Sequence, residues 1–112
     1  MKYDLSMLRK LSDNDETFIR DMLQTFKRTA PPVINRMEDY ASQNKMEAVG
    51  REAHKLIPGV SFLGAKDLED ILRIIEEKGK AGDPEDMLLH IQQVKTIVNS
   101  LITDFENDFH IE

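Results

Sequence analysis

An all-α chain is predicted: an up-down-up-down antiparallel four-helix bundle with additional N-terminal helical residues packed against it. Apolar residues recur in steps of three and four along most of the 112 residues. No stretch shows the period of two that a half-buried strand requires. Turn-forming residues separate the periodic segments at short intervals, and short connections make neighbouring helices antiparallel. The length suits a single domain over 1–112 with one core. Residues 1–12 form its N-terminal segment, and a tail from about 106 to 112 is expected to fray.

Each segment carries its own signals. Leu5 to Leu11 reads as a first turn or two of helix. Ser12-Asp13-Asn14-Asp15 offers N-cap candidates, with Glu16 in the first turn that follows. Phe18, Ile19, Met22, Leu23 and Phe26 continue at helical spacing. Pro31-Pro32 is expected to end that helix and open the next, because proline suits a first turn and damages a helix interior. Val33, Ile34, Met37, Tyr40 and Ala41 make the next amphipathic face, and Gln43-Asn44 a connection. A helix then runs from about Lys45 towards Leu63, with Gly64 placed to cap its C-terminus. Leu68, Ile71, Leu72 and Ile75 form another stripe. Gly79 to Pro84 reads as a loop, with Pro84 starting the last helix. Met87, Ile91, Val94, Val98, Leu101 and Phe105 define that helix.

Composition removes several function classes. A formal charge of -6 is the wrong sign for a nucleic-acid partner, which demands a basic stripe. With no cysteine, disulfides, thiolate chemistry and cysteine-based zinc sites are out. No apolar run reaches the roughly 20 residues of a membrane span. Met1-Lys2-Tyr3-Asp4-Leu5 lacks the apolar core of a signal peptide. The expectation is a soluble, cytoplasmic monomer without membrane contact, either free-standing or the cytoplasmic part of a longer membrane-anchored protein.

His54 is the most informative residue. Met46, Val49, Ala53, Leu56, Val60 and Leu63 form a buried stripe, and His54 lies about 100° round from Ala53, at its edge. Gly50, one turn away, has no side chain, which is expected to leave the imidazole open on that side. A hairpin folded about Ala65 sets residues equidistant from the turn side by side. Glu76 thus becomes the counterpart of His54, with Lys80 one turn beyond. Glu76 is placed to accept a hydrogen bond from the imidazole, and Lys55 and Lys80 to hold positive charge near an anion on it. Pro58 has no N–H for the carbonyl of His54, so a kink or irregular turn is expected there. Ile57, Pro58 and Gly59, with exposed Ile57 and Phe62, form a candidate docking surface of low relief.

The run Ala53-His54-Lys55-Leu56 and the turn Leu63-Gly64-Ala65, within an all-helical layout, resemble a histidine-containing phosphotransfer (HPt) domain of multistep two-component signalling. Phe26 near the end of its helix and the acidic amphipathic helix ending in Gly79-Lys80 extend the resemblance over nearly the whole chain. The family often carries lysine and glycine where Ile57 and Pro58 stand. The lysine's part in neutralising a phosphoryl group falls to Lys55 or Lys80 here.

The resemblance implies that His54 accepts a phosphoryl group from a receiver-domain aspartate, through Nε2, and passes it to another receiver aspartate. The implied partners are response-regulator receiver domains and a hybrid sensor histidine kinase. No cofactor is expected on this chain, and Mg²⁺ belongs to the receiver. The chain is then a phosphocarrier without autonomous kinase activity, having no Gly-rich phosphate loop. The rival is a helical adaptor, a pseudo-HPt that docks receivers without transfer. Metal chemistry is not expected, because the three histidines are far apart and lack Glu-x-x-His pairing. His90 and His110 read as surface residues.

Overall fold

The computed structural model describes residues 2–112, whose regular structure is all helix; Met1 lies outside the described residues. Helix α1 spans Ser6–Leu11, α2 Glu16–Ser42, α3 Met46–Phe62, α4 Lys66–Ala81 and α5 Met87–Phe109. Helices α2 to α5 close a ring in which α2 packs on α3 and α5, and α4 packs on the same two. At about 1.5 Å per residue, a helix the length of α2 spans about 40 Å, which accounts for the 42 Å long axis.

The core is the sum of the helical stripes. Leu23, Met37, Val49, Ala53, Val60, Leu72, Ile75, Val94, Leu101 and Phe105 are all fully buried. Local chemistry starts and stops the helices. Asp15 caps α2 by accepting the Phe18 N–H at 3.2 Å. Gly64, with φ 62, follows the end of α3 and takes the left-handed conformation that a helix stop favours.

Three expectations need correction. Pro31-Pro32 does not divide the chain, because α2 runs through both prolines. Ile19, Leu23, Phe26, Ala30, Val33 and Met37 stay buried in unbroken steps of four and three across the pair. Burying that continuous stripe outweighs the hydrogen bonds the prolines cannot make. Pro84 does not open the last helix either, since α5 begins at Met87. Finally, the C-terminal residues do not fray. Helix α5 reaches Phe109, and Ile111 is buried beyond it.

The tail is held by the other end of the chain. Tyr3 packs edge-on against Phe105 with ring centroids 5.0 Å apart, and its hydroxyl donates to Asp108 at 2.8 Å. Burial, then that hydrogen bond, pushes the Tyr3 phenol up to about 12. The Asp4 N–H donates to the Leu63 carbonyl at 3.0 Å, so the N-terminal segment straps the α3–α4 turn to the end of α5.

Candidate functional site

The site is built on the crossing of α3 and α4. A Cβ on Gly79 would lie 2.6 Å from Gly50 Cα, and one on Gly50 would lie 3.1 Å from Gly79 Cα. Only glycine at both positions allows backbones this close. This alters the reading of Gly50. It is buried beneath α4, and its missing side chain serves the helix approach first.

That approach brings α4 side chains onto the histidine. The His54 side chain is 69% exposed, while that of Glu76 is 14% exposed. Nδ1 of His54 hydrogen-bonds Oε2 of Glu76. A neutral imidazole that donates Nδ1–H to a carboxylate keeps its lone pair on Nε2, on the opposite side of the ring. Side chains on a helix lean towards its N-terminus, the direction in which Gly50 and Arg51 lie. Gly50, Arg51, His54 and Lys55 from α3, with Glu76 and Lys80 from α4, line an open cleft of about 650 Å³.

The cations differ in their engagements. Lys55 Nζ is ion-paired to Glu52 Oε2, and Glu52 Oε1 takes a hydrogen bond from Arg36 Nε on α2. Glu52 is only 4% exposed. Burial alone raises its carboxyl, but hydrogen bonds from Lys55 and Arg36, and their charges, outweigh this and hold it below the ordinary carboxylate value. Lys80 Nζ stands 3.9 Å from Glu77. Arg51 is exposed and is in no ion pair among the described residues.

The expected docking residues separate. Pro58 and Gly59 are exposed, Phe62 is 38% exposed, and α3 is continuous through Pro58. Ile57 is a correction. It is only 6% exposed, because it shares a helix face with Ala53 and Val60 and enters the core with them. Met22, Thr25 and Thr29 of α2 border a shallow groove with Lys55, Leu56 and Gly59. The α2–α3 register that brings them there has no local marker. His90 lies near Gln93, with 3.3 Å between Nδ1 and the amide oxygen.

A family model for the Hpt domain matches residues 21–104. The chain belongs to the Hpt domain family. The match runs from the first turns of α2 to near the end of α5 and contains His54. The fold is similar to a crystal structure of histidine-containing phosphotransfer protein B (HptB) from Pseudomonas aeruginosa PAO1, with a TM-score of 0.88. That likeness covers 97% of this chain and 95% of the other at 19% identity, and it concerns the fold. No curated protein matches the sequence. An Hpt domain works in phosphorelay signalling, and such domains interact with response-regulator receivers and kinases. No helix among the described residues is long and apolar enough to cross a membrane.

Proposed function

We propose that His54 is the phosphoacceptor of this Hpt domain, taking a phosphoryl group from one receiver aspartate and delivering it to another. One observation carries the reading: an exposed imidazole whose Nδ1 is held by Glu76, leaving Nε2 outside that hydrogen bond, beside the open cleft. In the forward step, the Nε2 lone pair attacks phosphorus and an N–P bond forms. The P–O bond to the aspartate breaks, and that carboxylate leaves with its electron pair. The ring keeps its Nδ1 proton and becomes cationic, with the Glu76 carboxylate beside it to stabilise the charge. The second transfer reverses the step on another aspartate.

In this reading the chain supplies nucleophile, orientation and docking face, and Mg²⁺ comes with the receiver. Pro58, Gly59 and Phe62 offer low apolar relief next to the imidazole, suited to a receiver surface. Action as a cytoplasmic monomer between receivers and a hybrid kinase completes the proposal. The adaptor reading draws support from buried Ile57, which leaves no lysine at that position.

Incubation with phosphorylated receivers tests both. The transfer reading expects acid-labile, alkali-stable phosphate on the wild type and none on His54→Gln. Receiver binding with no phosphate acquired selects the adaptor.

A further inference from the structure

Three cations border the cleft, and they are not equivalent. Lys55 is committed to Glu52, a carboxylate buried against α2 that Arg36 also holds. Drawing Lys55 to a phosphoryl group leaves part of that buried charge uncompensated, which is costly. Lys80 sits one turn beyond Glu76 and has only the loose contact with Glu77. Arg51 has no ion pair among the described residues, although Glu47 shares the cleft with it.

Position favours Arg51 as well. It lies three residues before His54, on the same helix face, at a Cβ separation of about 5–6 Å. The imidazole leans towards that turn. Residue 57, one turn the other way, turns into the core and carries no charge. Glu76 occupies Nδ1. A phosphoryl group on Nε2 therefore extends into the open cleft that Arg51 and Lys80 border from two helices. A guanidinium is also the side chain best shaped to grip two phosphoryl oxygens at once.

We infer that Arg51 is the phosphoryl-binding cation of this domain, with Lys80 as the second charge and Lys55 a structural partner of Glu52. The inference rests on His54 being the phosphoacceptor and adds the group that steadies the transferred charge.

Phosphoramidate is a suitable probe because it needs no receiver and so isolates the cleft from docking. Its zwitterionic monoanion transfers the phosphoryl group to Nε2: the donor P–N bond breaks, the Nε2–P bond forms, and ammonia leaves. Loading rates of the full chain, followed by phosphate-affinity electrophoresis, are expected to fall about tenfold in Arg51→Ala. Arg51→Lys is expected to recover part of the rate, and Lys55→Ala to stay within about twofold of wild type. Melting temperature should not move in Arg51→Ala, since an exposed, unpaired side chain contributes little to stability. Wild-type loading of Arg51→Ala, or an equal fall in Lys55→Ala, overturns the assignment while leaving His54 in its role. No His54-dependent loading of the wild type overturns both.

Discussion

Gly50 and Gly59 lie on the same helix in opposite surroundings. A methyl group at Gly50 would press against Gly79 and the Glu76 carbonyl, whereas one at Gly59 would meet nothing within 4 Å. The N-terminal half of α3 is built inward. Its close contact with α4 sets Glu76 beside His54 and leaves no room for adjustment. The C-terminal half, from Pro58 to Phe62, shows solvent a low surface backed by buried Ile57 and Val60. One helix thus separates the two demands of the proposed phosphotransfer role: a rigid mount for His54 and a clear face for a partner.

The sharpest way to break that contrast is Gly79→Ala. The added carbon lies 2.6 Å from Gly50 Cα and 2.8 Å from the Met46 carbonyl, both backbone atoms. The helices must part, and we expect a loss of about 2 kcal/mol, overpacking outweighing the better helix propensity of alanine. Thermal unfolding checks this, and an unchanged melting temperature means the backbones are not as close as described.

Glu52→Gln is expected to cost about 1–2 kcal/mol by weakening two charge-assisted hydrogen bonds. It also has a pH signature. The folded-state carboxyl titrates below its ordinary value of 4.5, so the folded state binds fewer protons than the unfolded chain. Its contribution is complete above that value and is lost as pH falls through the lowered one. Denaturant unfolding should therefore show a shallower acid limb in Glu52→Gln than in the wild type; parallel limbs remove Glu52 from the account.

Gly59→Ala should change stability in the opposite direction to Gly79→Ala, by about 0.5–1 kcal/mol in favour of the fold. A destabilised variant would mean that the open half of α3 has a packing constraint. Phe62→Ser should have the smallest effect on stability, within about 0.5 kcal/mol. Its expected readout is weaker binding to receivers in titration calorimetry, and unchanged affinity takes Phe62 out of the docking face.

The sequence carried more of this than its local rules suggested. The pairing of His54 with Glu76 follows from counting outwards from a single turn, because antiparallel neighbours fix each other's register. The Pro31-Pro32 break was a local rule applied against a longer signal: the apolar stripe of α2 keeps its phase across both prolines. Ile57 has the same lesson, since its spacing from Ala53 and Val60 marks a core position whatever the family carries there. The Arg36–Glu52 bridge and the anchoring of Ile111 were less accessible. The first depends on the register of α2 against α3. The second lies at the end of the bundle where Tyr3 and Phe105, far apart in sequence, meet.

Nitrogen-15 NMR of histidine-labelled protein, recorded before and after incubation with a phosphorylated receiver, addresses the central claim. The account predicts that His54 begins as the tautomer protonated at Nδ1 and gains its phosphoryl group at Nε2, with His90 and His110 unchanged. A phosphoryl group at Nδ1 of His54, or on another histidine, or no N–P bond at all, would contradict it.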